Sequence, residues 1–264
     1  MFQQFLKFTL LATLSIYCMP TSATTLIENR IIGGESVEIN SAPYLVSIRY
    51  KKNNSTPFEH RCSGTIYSSK VILTTATCVI GLDLNRLHVK AGSTYRSQND
   101  GFLYLVEKYI IHPEYNIWFT DNDLALLVLA FDLTSSFPKE IDPIALLSNV
   151  PPVNSLATIA GWGITDASAN SKFSEILQIA HVNVVDILDC KRSYGENRIS
   201  PAMLCATGDD SDACLGDAGG ALVYEDKALG LISWGNGCAN SDFPGVYTNL
   251  VYFKEWIENE VAKL

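Results

Sequence analysis

From about residue 42 onward the chain alternates short apolar runs with polar breaks. Apolar and β-branched residues gather at 44–50, 71–75, 87–91, 103–111, 124–129, 177–184, 221–224, 229–234 and 246–249. Turn-forming clusters lie between them, among them Lys51-Lys52-Asn53-Asn54, Ser97-Gln98-Asn99-Asp100-Gly101 and Pro151-Pro152. Many short strands at this spacing predict an all-β sandwich or a pair of barrels. At Leu250 the period changes. Leu250, Phe253, Ile257 and Val261 fall on one helical face with Trp256 beside it, which predicts a terminal helix docked on the β domain. No linker, repeat, low-complexity tract or charge run divides the chain.

One apolar run stands apart. Residues 8–17 follow a lone Lys7 and lead into Thr21-Ser22-Ala23, the pattern of a secretory signal peptide over residues 1–23. The run is too short and wrongly flanked for a spanning helix, and no later stretch approaches that length. Removing it takes Cys18 from the seven cysteines and leaves six. An even count in a secreted chain reads as three disulfides, with fifteen pairings open. The net charge of −9 argues against nucleic acid and anionic membrane as partners, since both demand a basic face. It fits a soluble extracellular protein.

The chemistry is carried by motifs in a fixed order. They are Arg30-Ile31-Ile32-Gly33-Gly34, Cys62-Ser63-Gly64-Thr65-Ile66, Asp121-Asn122-Asp123-Leu124-Ala125-Leu126-Leu127, Gly161-Trp162-Gly163, Gly216-Asp217-Ala218-Gly219-Gly220, Ser233-Trp234-Gly235 and Pro244-Gly245-Val246-Tyr247-Thr248. Any one tripeptide is weak evidence, but the ordered set resembles the chymotrypsin/trypsin family across nearly the whole chain. The resemblance implies an all-β fold of two antiparallel six-stranded β-barrels with a C-terminal α-helix and a site in the cleft between the barrels. It also implies a short activation propeptide at 24–30, a homology domain at 31–264, and the pairings Cys62–Cys78, Cys190–Cys205 and Cys214–Cys238.

Two positions depart from the family pattern. Thr74-Thr75-Ala76-Thr77-Cys78 stands where the family carries Thr-Ala-Ala-His-Cys, and Ala218 stands where it carries the nucleophilic serine. Alanine offers no nucleophile, and a threonine hydroxyl cannot take a proton at neutral pH as an imidazole does. Losing either the serine or the histidine costs a triad hydrolase on the order of a millionfold in turnover. Of the triad the chain keeps Asp123, which is left to accept hydrogen bonds from Thr77 or Ser233. The backbone amides of Gly216 and Ala218 match the oxyanion hole. None of the four histidines lies in the matching loop: His88 and His181 fall in strand patterns, His112 precedes Pro113 in what reads as a surface turn, and His60 lies two residues before Cys62.

The specificity pocket is a different case. Asp212 occupies the position whose carboxylate binds Arg or Lys in trypsins, Gly235 and Gly245 match the pocket-wall glycines, and Ser233 opens the edge strand that pairs with substrate backbone. The alternative for Asp212, within Asp209-Asp210-Ser211-Asp212, is a solvated turn acid. The activation machinery is also matched. Cleavage between Arg30 and Ile31 would free an ammonium group for Asp217, and Ser47 and His60 match the residues that hold that carboxylate beforehand.

Ala221 replaces the usual proline after Gly-Gly. The loop after Gly92 begins Ser93-Thr94-Tyr95 and lacks the paired glutamates of calcium-binding members, so neither a metal nor a cofactor is expected. Asn53-Asn54-Ser55-Thr56 holds two overlapping glycosylation sequons. Together these features predict a secreted, non-catalytic serine protease homologue. Its expected partners are extracellular proteins: proteases, protease inhibitors or basic peptide segments. The competing reading is an active endopeptidase cleaving after Arg or Lys.

Overall fold

The structure is a computed structural model that describes residues 33–53, 55–133, 140–165, 172–208 and 211–264. The stretches expected to be a signal peptide (1–23) and a propeptide (24–30), with Arg30 and Ile31, Asn54, and Asp209 and Asp210, lie outside the described residues.

After a two-residue strand, β1 (Glu35–Ser36), come β2 (Leu45–Tyr50), β3 (Glu59–Ile66), β4 (Val71–Thr74), β5 (Leu87–Ala91), β6 (Phe102–Ile111) and β7 (Ala125–Leu129). These six close into an antiparallel barrel in the order β2-β3-β4-β7-β6-β5. The second barrel holds β8 (Leu156–Gly161), β9 (Gln178–Val185), β10 (Met203–Thr207), β11 (Ala221–Tyr224), β12 (Lys227–Trp234) and β13 (Gly245–Asn249). It runs β9-β10-β13-β12-β11-β8 and closes through β8 on β9, with β1 laid along the outer side of β9. Three α-helices complete the described fold: α1 (Ala76–Val79), α2 (Ile187–Tyr194) and α3 (Leu250–Val261).

The period-2 alternation of each strand divides its apolar residues between two cores. In β4, Ile72 points into the first barrel with Ile48, Leu127 and Val89, while Val71 and Leu73 point outward with Leu45 and Leu126. That outward set meets Trp162, Ala221, Leu231 and Phe253 of the second half, forming one buried core between the barrels. β4 is therefore buried on both faces, which is why it reads as an unbroken apolar run. The second barrel has its own interior of Ile159, Val182, Leu204, Leu222, Leu229 and Tyr247.

Helix α3 forms where the period changed. Asn249 caps it, its side chain accepting from the N–H of Val251 at 3.1 Å and of Tyr252 at 3.2 Å. Leu250, Phe253 and Ile257 are buried against the core, with Trp256 and Val261 packed beside them. The surface turn expected at His112 is a correction. His112 is buried, and its ring lies 4.9 Å from Phe253 and 4.7 Å from Trp256, so it docks the helix onto the first barrel.

One loop ties the barrels together from inside. The Lys90 side chain turns into the loop 93–100, where its ammonium meets Tyr95 O at 3.0 Å, Gln98 O at 2.6 Å and Asp100 Oδ1 at 2.9 Å. The ordered loop then bonds across to the second half: Arg96 N donates to Glu175 O, Leu177 N to Thr94 O, and Trp162 Nε1 to Thr94 O. This cross-barrel seam fixes the segment that carries Gly163.

Candidate functional site

The cleft takes its residues from both barrels. Thr77 lies on α1, directly after β4, and Asp123 lies just before β7. The loop 211–220 leads into β11, and β12 and β13 supply Ser233, Gly235 and Gly245. The stretch 216–220 is stitched to both sides. Ser63 N donates to Ala218 O at 2.9 Å and Thr65 Oγ1 to Gly219 O at 3.1 Å, while Gly219 N donates to Ile232 O at 2.8 Å. Gly216 has φ +101°, and a Cβ there would stand 2.8 Å from the Phe173 ring, so this path demands glycine. The N–H groups of Gly216 and Ala218 have no acceptor among the described residues, the state in which they could face an oxyanion.

At the corner where the triad would meet, Asp123 is buried and fully engaged. Its Oδ1 accepts from Thr77 N at 2.9 Å and Thr77 Oγ1 at 2.9 Å, and its Oδ2 from Ser233 Oγ at 2.6 Å. Thr77 has one hydroxyl proton and gives it to the carboxylate. The Tyr115 hydroxyl, 3.0 Å from Thr77 Oγ1, therefore donates to it. Burial pushes the Asp123 carboxyl above its ordinary range, and these donors hold it back. Among the described residues no histidine lines the adjacent pocket, and the one serine that does is Ser233, the donor to Asp123.

From this corner a pocket of about 360 Å³ runs past Ala218 to Asp212, lined also by Trp234, Gly235, Gly245 and Tyr247. Asp212 is buried, which sets aside the solvated turn acid. Its Oδ2 accepts from Ala239 N at 2.8 Å, whereas Oδ1 has no partner among protein atoms. Tyr247 Oη and Trp234 Nε1, in the same lining, are likewise buried without a partner. A Cβ on Gly245 would sit 3.1 Å from that free oxygen, so glycine keeps the approach open. Burial raises the Asp212 carboxyl to about 6, with the amides of Ala239 and Ala213 pulling the other way.

A family model described as Trypsin matches residues 31–257. The chain belongs to the trypsin family. Trypsin eta of Drosophila erecta is 37% identical over 236 residues, covering 89% of this chain and 91% of its own length. Trypsin epsilon of the same species is 33% identical over 249 residues, 93% of each chain. Trypsin alpha of Drosophila melanogaster is 35% identical over 242 residues, 90% of each.

The disulfides of this trypsin-family chain join Cys62 to Cys78, Cys190 to Cys205, and Cys214 to Cys238. The first fastens α1, and with it Thr77, to β3. The third joins the pocket floor to the wall after Gly235.

The residues matched to the activation switch do not form one group. Ser47 Oγ lies 2.8 Å from His60 Nδ1, and His60 Nε2 is 3.0 Å from Gly216 O, so His60 links β2 to the loop that carries Gly216. Asp217 bonds neither of them. Its carboxylate, wholly buried, accepts from Gly163 N at 2.7 Å and Cys214 N at 3.0 Å. With no cation beside it among the described residues, burial raises it to about 7, while burial lowers His60 to about 4 and leaves it neutral.

Sequence reasoning missed Tyr115, Arg61 and Lys90. Arg61 lies at the pocket rim and donates from Nε to Cys78 O at 2.8 Å. Tyr115 reaches Thr77 from 38 residues away, a contact that no local pattern announces.

Proposed function

We propose that this chain is a secreted, non-catalytic trypsin-family protein that acts by binding basic side chains of extracellular proteins in its cleft, as a cofactor, decoy or scaffold in proteolysis. The observation that carries the binding half is the unpaired Asp212 Oδ1, buried at the floor of an open pocket beside two further unpaired polar atoms. A buried carboxylate oxygen without a donor is unfavourable by about 1–3 kcal/mol, and an amidinium or guanidinium satisfies it bidentately. The other half is supported by residue chemistry. Ala218 has no atom to attack a carbonyl, and Thr77 gives its proton to Asp123 and has no basic nitrogen to accept one.

In this reading residues 1–23 are removed on secretion, and cleavage after Arg30 delivers the Ile31 ammonium to Asp217. That carboxylate is held only by backbone N–H groups among the described residues, and its raised pKa is what a buried carboxylate awaiting a cation has.

The second reading, an active endopeptidase cleaving after Arg or Lys, is favoured by relatives that carry the name trypsin. Two measurements on protein cleaved after Arg30 separate them. Arg- and Lys-amide substrates should turn over no faster than in buffer, and a fluorophosphonate should label no serine. A burst of product or a labelled serine would overturn the non-catalytic reading. Benzamidine should bind between roughly micromolar and millimolar, about 8 to 4 kcal/mol. Absence of saturable binding would remove the pocket from the function.

A further inference from the structure

The second barrel carries an apolar groove of about 330 Å³ that shares no lining residue with the cleft pocket. It is lined by Val150 and Val153 from the loop before β8, Val184 from β9, Ile187 from α2, and Met203 and Leu204 from β10. Val150, Val153 and Ile187 are 47%, 48% and 39% exposed. Isolated exposed apolar residues are ordinary, but a group gathered around one concavity marks an interaction site. The groove is built rigidly. Pro151 and Pro152 stiffen the loop, Asn154 turns in the left-handed region at φ 66°, and Asn154 N donates to Val184 O at 2.8 Å. The helix opposite is fastened to β10 by the disulfide from Cys190 to Cys205.

The polar side chains in the lining, Asp186 and Asn249, both cap helices. Asn249 Oδ1 accepts from Val251 N and Tyr252 N, and Asp186 Oδ1 accepts from Leu188 N at 2.7 Å. Asp186 Oδ2 bonds nothing among the described residues. The groove therefore fits an aliphatic group with a cation beside it. The chain has such a segment within reach. β1 runs antiparallel to β9 with Glu35 opposite Ile179, so the residues before Glu35 head along β9 toward Val184. β10 takes that edge of β9 from Asn183 onward, and the chain leaves the strand at Gly33, at φ 74°. From Ile179 to Val184 is about 17 Å at the rise of a strand. From Gly33 back to Leu26 the chain spans up to about 25 Å. Residues 24–30 hold one aliphatic pair, Leu26-Ile27, and removal of residues 1–23 leaves the α-ammonium of Thr24 close before it.

We propose that this groove is the seat of the propeptide: Leu26-Ile27 packs between the loop 150–153 and α2, and the Thr24 ammonium pairs with Asp186. This rests on the processing read above, removal of residues 1–23 and cleavage after Arg30. The seat holds the segment before Arg30 against the second barrel and so slows its cleavage, since a protease cuts the undocked chain. Residues 24–30 contain no cysteine, so after cleavage this contact alone holds the released peptide, and it dissociates.

The test uses the uncleaved chain as secreted, with labelled Val, Leu and Ile methyl groups. Magnetic cross-relaxation should connect Leu26 or Ile27 with Val153 and Ile187, and cleavage after Arg30 should remove it and move both groove signals. Leu26→Asp with Ile27→Asp should place those signals at their cleaved positions while the Arg30–Ile31 bond is intact, which separates the seat from the activation step. Added trypsin should cut this double variant after Arg30 about tenfold faster than the unaltered chain. Asp186→Asn keeps the helix cap and removes the charge, and should speed the cut about two- to threefold. The proposal is overturned, and the processing reading kept, if the secreted chain begins at Thr24 and the groove signals are the same in all three forms. It is also overturned if the uncleaved chain sediments as a dimer that Ile187→Asp dissolves, which would assign the groove to a second copy. A secreted chain whose mass places its first residue after Ile27 would defeat the processing reading and this one together.

Discussion

Two ends of one cleft carry buried aspartates of opposite condition. At the catalytic corner Asp123 lacks the imidazole of its family, yet both its oxygens are bonded, by Thr77 and Ser233. At the pocket floor Asp212 sits in a family-matched setting and one of its oxygens has no partner. The difference separates satisfaction from readiness. With Thr77 where the family carries histidine, Asp123 joins α1 to β12 through these hydrogen bonds. The free oxygen of Asp212 is a buried acceptor without a donor, the feature on which the proposed cleft binding rests.

The largest effect should come from reopening the corner. Thr77→His with Ala218→Ser supplies base and nucleophile to a frame in which Asp123 and the amides of Gly216 and Ala218 are already placed. Amidase activity on arginine substrates should rise at least about a thousandfold over the unaltered protein, and each single change should give almost nothing, because triad members act as a unit. A folded, cleaved double variant without activity would mean that the two ends are no longer in catalytic register.

Removing the charge at the other end is the next largest. Asp212→Asn turns a charge-assisted pair into a neutral contact, so benzamidine affinity should fall about ten- to hundredfold by calorimetry. Binding indifferent to this change would place the ligand elsewhere. The pH profile sharpens the same point. The raised Asp212 carboxyl, at about 6, must be ionised to hold a cation, so affinity should be level above pH 7 and about tenfold weaker at pH 5 than at pH 8. Folding stability moves the other way. Asp212 and Asp217, at about 6 and 7, hold protons more tightly folded than unfolded, so their contribution is fully present below about pH 4 and is lost as pH rises through those values. An affinity that falls between pH 5 and 8 would contradict the ionised pocket.

Much of this contrast was readable before the fold. Strands such as β7 and β11 announced themselves through continuous apolar runs, and α3 through its period. β3 did not, because Glu59, His60, Arg61 and Ser63 are polar; yet His60 and Ser63 are buried there, one on Ser47 and the other donating from its N–H to Ala218 O. α2 was hidden similarly, since of its eight residues Cys190 alone is buried. Family motifs located Asp123, Asp212 and both pocket glycines. They could not reveal that Asp212 is half-satisfied, that His112 faces a helix, or that Tyr115 completes the corner, because each depends on atoms brought together by barrel closure. Sequence order carries residue identity; hydrogen-bond satisfaction is a property of the packed cleft.

The smallest effect isolates what the corner now does. Thr77→Val keeps the shape of the side chain and removes its hydroxyl, and with it the bond to Asp123 and the acceptor for Tyr115. Asp123 still accepts from Thr77 N and Ser233 Oγ, so the carboxylate is weakened and not abandoned. A net hydrogen bond to a charged group is worth about 1.5–3 kcal/mol, and with two donors remaining and Thr77 exposed the loss falls below that range, at about 1 kcal/mol. For a domain of this size that lowers Tm by about 2–4 °C. Benzamidine affinity should not change, because Asp212 and its unpaired oxygen lie at the far end of the pocket. A loss of affinity in Thr77→Val that matches its loss of stability would show that the corner and the floor are energetically one unit, and the contrast between them would then be one of position alone.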